Sequence, residues 1–228
     1  MTKPVERQKR PYERLTDGIV SRHLNRRVSW RITKVILKSR FDVTPNQMSV
    51  VSFVTSILGG ILLATPFPVI GGSLVQLGSI LDGCDGEIAR ATGRASKSGA
   101  VLDAILDRIA DGLVILGMTA FVLLYVPVLA LGVVMTPKVW SVGVVSLGFL
   151  ALVGSYGISY STARAEATLN KAYPRVIAGR DVRLFLVFIA GICAQILNWA
   201  MLFFLAALMV LTFLELGWRI IRTWREPF

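Results

Sequence analysis

The chain has 228 residues, 54% of them hydrophobic, and a formal net charge of +11. This apolar content is typical of membrane proteins and argues against an ordinary soluble domain. No groove-reading motif accompanies the positive charge, so we expect no nucleic-acid partner. Cys84 and Cys193 fall in different apolar segments and indicate neither a disulfide framework nor a zinc site.

The first forty residues are polar and basic, and they contain twelve of the 25 Lys and Arg residues. From Leu15 to Ile36 apolar residues recur at helical spacing, which predicts a basic amphipathic helix over 15–39 that lies in the membrane interface. A solvated charged helix is the alternative, above all for residues 1–14. Because this N-terminus is long and charged before any apolar region, we expect no cleavable signal peptide.

Six apolar segments follow. A membrane helix needs about 20 residues, and every segment except the fifth, which is short, reaches that length. Window length predicts spans at 46–66, 68–92, 98–126, 139–164, 183–197 and 199–222. Thr44 is the expected N-cap of the first span, and Pro45 takes the first helical position, where its missing N–H costs nothing. The fold class is therefore all-α integral membrane, with a basic segment over 1–43 and one six-helix transmembrane domain over 44–228.

The distribution of the basic residues predicts the orientation of the chain. With the N-terminus in the cytoplasm, every cluster of Lys and Arg falls on the cytoplasmic side of the six spans, which is the positive-inside pattern. We expect a multi-pass protein of the cell membrane whose basic surface contacts anionic lipid headgroups.

The second and third apolar segments face each other across a polar turn near Arg94. Asp82 and Asp85 share one face of the second helix, and Asp103 and Asp107 share one face of the third. An antiparallel hairpin sets 82 opposite 107 and 85 opposite 103, so these four carboxylates converge at one depth, on the cytoplasmic side. Burying unpaired ions costs several kcal/mol each. All-oxygen ligands favour one or two divalent ions such as Mg²⁺ or Mn²⁺ over zinc or copper, and a network of structural ion pairs is the alternative.

The whole stretch follows the pattern Asp82-x2-Asp85-Gly86-x2-Ala89-Arg90-x8-Gly99-x3-Asp103-x3-Asp107. This pattern resembles the signature of the CDP-alcohol phosphotransferases at every fixed position, and the six spans and N-terminal helix are similar to that family as well. The resemblance implies an enzyme that moves a substituted phosphate group from a CDP-alcohol donor to an acceptor hydroxyl and releases CMP. It also favours a homodimer.

The resemblance assigns roles to individual residues. The metal ligands it implies for Mg²⁺ or Mn²⁺ are Asp82, Asp85, Asp103 and Asp107. Asp107 is in addition the catalytic base that deprotonates the acceptor hydroxyl. The nucleotide-binding residues it implies are Asn46, Asp82, Asp85, Gly86, Ala89, Arg90, Ser96 and Gly99.

The end of the fourth span resembles the inositol-phosphate branch of the family. Residues 159–166 are similar to its Ser-Tyr-x-x-Ala-Arg-Ala-Glu segment, and the resemblance implies that Arg164, Arg180 and Arg183 bind the phosphate of an inositol phosphate acceptor. Anchoring of helix ends at the interface is the alternative for these arginines. Thr162 departs from the bacterial enzymes, which tend to carry a lysine there.

The donor stays open at this point. Residues 77–90 look closer to archaeal members, which include the di-myo-inositol phosphate phosphate synthases with their soluble donor. The candidate donors are CDP-diacylglycerol, CDP-archaeol and CDP-inositol.

Two other activities compete with this interpretation. An intramembrane prenyltransferase also binds a diphosphate with aspartates and Mg²⁺, although its acidic motifs lie on distant helices. A divalent-cation transporter would use the acids as its ion site, although such proteins usually show internal repeats, and we find none here. A structural scaffold agrees least with the acids, because ionisable groups inside membranes are usually functional.

Overall fold

The computed structural model describes residues 18–40, 42–127, 136–169 and 178–225, and within these ranges the chain is helical and contains no β-strand. A π-helical turn over Ser21–Asn25 leads into the first of the seven α-helices that these ranges contain. The helices are α1 (Arg26–Lys38), α2 (Pro45–Leu63), α3 (Pro68–Ala91), α4 (Lys97–Tyr125), α5 (Pro137–Leu169), α6 (Arg180–Ile196) and α7 (Ala200–Arg225). The part of the predicted N-terminal helix before Gly18 lies outside the described residues.

Helices α2 to α7 begin and end close to the six predicted spans. Four of them, α2, α4, α5 and α7, are long and apolar enough to cross a membrane. The last three turns of α3 carry four charged residues, and α6 has 17 residues, so neither reaches the same length and apolar content. The fold is therefore all-helical with several membrane-length helices, while the count of six spans stays a prediction.

The outward faces of the long helices are apolar. On α5, Val142 is 66% exposed and Phe149 is 62% exposed, and on α7 Phe203 and Leu214 are exposed to a similar degree. Exposed apolar surface of this extent is unusual on a soluble monomer. Lipid acyl chains are the environment that suits it, because the backbone polar groups are already bonded within the helices.

Helix α2 begins at the capping signal predicted from the sequence. The Thr44 hydroxyl accepts a hydrogen bond from the Gln47 amide at 3.3 Å, and the Gln47 side chain accepts one from the Thr44 amide at 2.9 Å. Pro45 is the first helical residue. This reciprocal box bonds two of the amides that a helix start leaves without partners.

Glycines allow α2 to approach α3 and α4 closely. A Cβ atom on Gly59 of α2 would lie 2.8 Å from the amide nitrogen of Val75 in α3. A Cβ atom on Gly117 of α4 would overlap the backbone carbonyl of Gly60 in α2. Small residues at such crossings let backbones pack directly, which is how helices associate where lipid removes the hydrophobic driving force. The α3–α4 hairpin is therefore held rigidly against α2.

Helix α1 turns its polar side towards the protein. Arg26, Ser29 and Thr33 are buried, as is Asn25 in the turn just before them, and α1 packs against α3. Apolar residues such as Val35, which is 70% exposed, point outward. The sequence alone did not reveal that the polar side of this helix would be the buried one, and its position in the membrane interface stays a prediction.

Candidate active site

The predicted hairpin is formed by α3 and α4. After α3 ends, Gly93 has a φ of 68°, a left-handed conformation that glycine adopts without steric cost. Ser96 then caps α4, because its hydroxyl accepts a hydrogen bond from the Gly99 amide at 3.0 Å. This short turn brings the acidic faces of the two helices together.

Arg94 in the turn is anchored to the segment before α2. Its guanidinium donates to both carboxylate oxygens of Asp42, at 2.7 and 3.0 Å. This hydrogen bond, supported by the positive charge, lowers the pKa of Asp42 below its ordinary value. Both side chains are well exposed to solvent, so the pair contributes little to stability.

Three of the four predicted metal ligands converge. Carboxylate oxygens of Asp82, Asp85 and Asp103 lie within 4.8 Å of one another. The Ser49 hydroxyl of α2 donates to the second Asp85 oxygen at 2.6 Å, which orients this carboxylate. An all-oxygen donor set of this size fits a hard divalent cation such as Mg²⁺ or Mn²⁺, which retains water and substrate oxygens as its other ligands. These residues therefore fit the metal that the sequence predicts.

Asp107 lies beside this group but is not part of it. Instead it shares a counter-ion with Asp82: Arg180 of α6 places one terminal nitrogen 3.2 Å from Asp82 Oδ2 and the other 2.8 Å from Asp107 Oδ1. The structure thus separates a three-carboxylate cluster from a fourth carboxylate held by an arginine. Asp107 remains the predicted base, and its share in metal binding remains a prediction.

Asp111 is a buried carboxylate to which the sequence pattern assigns no role. Arg180 Nε contacts Asp111 Oδ1 at 3.1 Å, and Arg183 Nη2 contacts Asp111 Oδ2 at 3.4 Å. Arg108 of the same helix lies 3.4 Å from the same oxygen. A buried charge needs such partners, because leaving water costs each ion several kcal/mol. The spacing of four residues after Asp107 was the signal in the sequence, since it extends the acidic face of α4 by one turn.

Arg183 also ties α6 to α5. Its Nη1 donates to the backbone carbonyl of Ser155 at 3.1 Å, and its side chain is almost fully buried. On the same helix as Ser155, the Tyr156 hydroxyl donates to the carbonyl of Arg108 at 2.6 Å. The two predicted acceptor arginines of α6 thus form one network with Asp111.

The third predicted acceptor arginine, Arg164, lies apart from this network. It is exposed near the end of α5, and it is not among the arginines that contact an aspartate in the described part of the chain.

The predicted nucleotide-binding residues lie near the turn that joins α3 to α4. A Cβ atom on Gly99 would lie 3.0 Å from Ser96 Oγ and 3.2 Å from Asn46 Oδ1, so these three residues are neighbours. On α3, Gly86 and Ala89 are partly buried and Arg90 is exposed. The contacts of these six residues with nucleotide stay predictions.

The family model of the CDP-alcohol phosphatidyltransferases matches residues 42–220. The bifunctional IPC transferase and DIPP synthase of Thermococcus kodakarensis is 41% identical over 177 residues, which cover 75% of this chain and 36% of that protein. The archaetidylinositol phosphate synthase of Pyrococcus horikoshii is 33% identical over 162 residues, covering 71% of this chain and 75% of the relative. This chain spans between 36% and 45% of the length of four bifunctional relatives that it matches.

Solved structures agree with these sequence matches. The crystal structure of phosphatidylinositol phosphate synthase from Mycobacterium tuberculosis in complex with manganese and citrate matches with a TM-score of 0.70 and 25% identity, covering 87% of this chain and 90% of that one. The same enzyme with CDP-DAG bound also matches with a TM-score of 0.70, over 88% and 96% of the two chains. With a family model that matches more than three quarters of its length, this chain belongs to the CDP-alcohol phosphatidyltransferase family.

Proposed function

We propose that this protein is a membrane enzyme that transfers a substituted phosphate group from a CDP-alcohol donor to an acceptor hydroxyl and releases CMP. The observation that carries the proposal is the convergence of the Asp82, Asp85 and Asp103 oxygens within 4.8 Å on the α3–α4 hairpin. A relative of the same fold was crystallised with manganese and, separately, with CDP-DAG. Relatives in sequence are named as synthases of inositol-containing phosphates.

The chemistry follows from the groups around the cluster. Asp82, Asp85 and Asp103 would hold Mg²⁺ or Mn²⁺, one ion or two, and the bound cation supplies stabilisation of the charge that develops on the diphosphate. Asp107 accepts the proton of the attacking hydroxyl, since it lies beside the three-ligand cluster, whereas Asp111, one turn further along α4, is held by three arginines. The contact of 2.8 Å from Arg180 orients Asp107 for this step.

The acceptor in this proposal carries a phosphate, and an inositol phosphate is the first choice. Arg180 contacts the predicted base, Arg183 is joined to Arg180 through Asp111, and a guanidinium takes phosphate oxygens two at a time. Arg164 would join them at the end of α5. The donor is CDP-diacylglycerol, CDP-archaeol or CDP-inositol, which share the cytidine diphosphate that the hairpin would bind.

The membrane arrangement is part of the same proposal. The chain crosses the cell membrane six times, and its N-terminus and active site lie on the cytoplasmic side. This orientation places the basic clusters in the cytoplasm. Helix α1 lies in the membrane interface with its apolar side towards lipid. Support comes from the exposed apolar side chains on α1 and on the long helices. A homodimer completes the proposal.

The test is CMP release by the full chain in detergent or nanodiscs, with the three donors combined with acceptors that have and lack a phosphate. We expect metal-dependent CMP release with at least one donor, and a preference for a phosphorylated inositol. Diphosphate release from a prenyl donor would instead support a prenyltransferase. Mn²⁺ flux into proteoliposomes without nucleotide would support a transporter, and either result without CMP release would contradict the proposal.

A further inference from the structure

Glu87 is a buried carboxylate on α3 that the proposed chemistry does not use. It follows Asp85 by two residues, a rotation of about 200° around the helix, so it lies on the side of α3 that faces away from the metal cluster. Its side chain has no exposed surface. A carboxylate in such a place is costly unless its oxygens are bonded and its charge is balanced.

Helix α1 supplies both the hydrogen bonds and the positive charge. The Ser29 hydroxyl donates to Glu87 Oε1 at 2.7 Å, and the Thr33 hydroxyl donates to Glu87 Oε2 at 2.7 Å. Arg26 Nη1 lies 3.5 Å from Glu87 Oε1. All three partners are buried. Each oxygen of the carboxylate therefore has a short, directional bond to the same helix.

Helix α1 also contacts the turn of α3 that carries the metal ligands. Arg26 Nη1 donates to the carbonyl of Gly83 at 3.1 Å, and the Cys84 thiol lies 3.5 Å from the carbonyl of Ser29. A Cβ atom on Gly83 would lie 3.1 Å from the Arg26 guanidinium, so the glycine permits this approach. Gly83 and Cys84 are the two residues between the paired aspartates, and α1 thus packs on the back of the metal-binding turn.

We propose that Glu87 is a positioning residue for the metal site. Its bonds to Ser29, Thr33 and Arg26 fix how α3 is rotated about its axis and how far it is shifted along it. This position of α3 in turn fixes the orientation of the Asp82 and Asp85 carboxylates. This inference rests on the proposed function of the cluster. Mg²⁺ accepts oxygens only near about 2.0–2.1 Å, so a small rotation of α3 moves both carboxylates out of range. An apolar contact would tolerate sliding, whereas three directional bonds to one carboxylate do not.

The test measures Mn²⁺ binding to the full chain by electron paramagnetic resonance, without nucleotide or acceptor. The double variant Ser29→Ala/Thr33→Val removes both short bonds to Glu87 and changes no charge. We expect its Mn²⁺ affinity to fall about tenfold, as for other residues that orient metal ligands indirectly. The matched control is Ser73→Ala on α3, because the exposed Ser73 hydroxyl bonds only the carbonyl of Val69 in its own helix among the hydrogen bonds described. The control should bind Mn²⁺ like the wild type.

The variant Arg26→Gln separates geometry from charge. If charge alone mattered, removing a cation close to the aspartates would strengthen Mn²⁺ binding, whereas loss of positioning weakens it. Weaker binding in both variants supports the inference, and wild-type affinity in the double variant or stronger binding in Arg26→Gln overturns it. If Arg26→Gln does not fold, the double variant decides alone. If the wild-type chain binds no Mn²⁺, both the proposed function and this inference are overturned. If the wild type binds Mn²⁺ and the double variant binds it with the same affinity, only this inference is overturned.

Discussion

Asp111→Asn is the substitution for which the structure makes the most specific prediction. The side chain of Asp111 keeps its size, but its negative charge disappears from a position that three guanidinium groups contact at 3.1 to 3.4 Å. Arg183, whose side chain is 6% exposed, then lacks its buried counter-ion. Arg180 keeps two other carboxylate partners, yet loses the one that bonds its Nε.

The magnitude follows from the burial of the network. Removing one partner of a buried ion pair lowers the free energy of unfolding by about 3–5 kcal/mol, because the other charge stays buried without a counter-ion. Asparagine retains one carbonyl oxygen that still accepts a bond, so we expect a loss near the lower limit, about 3 kcal/mol. Turnover should also fall by about tenfold or more per folded molecule, since a guanidinium displaced by a fraction of an ångström no longer orients Asp107.

The assay combines thermal unfolding in detergent with CMP release, normalised to the folded fraction. Glu215→Gln is the matched control: Glu215 and Arg219 form another buried pair, 3.0 Å apart on α7, that does not include the hairpin aspartates. The control should lose comparable stability and retain turnover per folded molecule. Equal turnover for Asp111→Asn and the wild type would refute the reasoning, because it would mean that the network only holds helices together.

Four further substitutions test other parts of the structure. Asp107→Asn should retain binding of Mn²⁺ and CDP yet lose CMP release, and a wild-type rate would exclude Asp107 as the base. Asp82→Asn should weaken Mn²⁺ binding at least about tenfold, measured by paramagnetic resonance, and unchanged affinity would exclude the cluster as the metal site. Arg180→Ala should raise the KM for a phosphorylated acceptor and lower kcat, while CDP affinity stays constant; an equal loss of affinity for CDP would contradict an acceptor role. Gly117→Ala should lower the unfolding free energy by about 1–3 kcal/mol, because its methyl group meets the carbonyl of Gly60, and an unchanged Tm would contradict this packing.

Local signals in the sequence were enough to predict the helices and the acidic hairpin. Helix boundaries depend on contacts within about four residues, such as the bonds between Thr44 and Gln47 or the cap at Ser96, and these are readable from residue type and spacing. The convergence of Asp82, Asp85 and Asp103 followed from the same kind of local geometry, because a short turn joins the two helices that carry them.

Only the tertiary structure decided which helix covers each polar face. Arg180 and Asp111 are 69 residues apart in the chain, and Ser29 and Glu87 are 58 apart. Periodicity shows that a residue lies on a polar face of its helix, but it does not identify the neighbour that packs there. Which helix packs there depends on where glycines let two helix backbones come close together and on which buried charges find a counter-ion. For this reason the arginine that holds Asp107 and the helix that binds Glu87 became visible only once the seven helices were packed together.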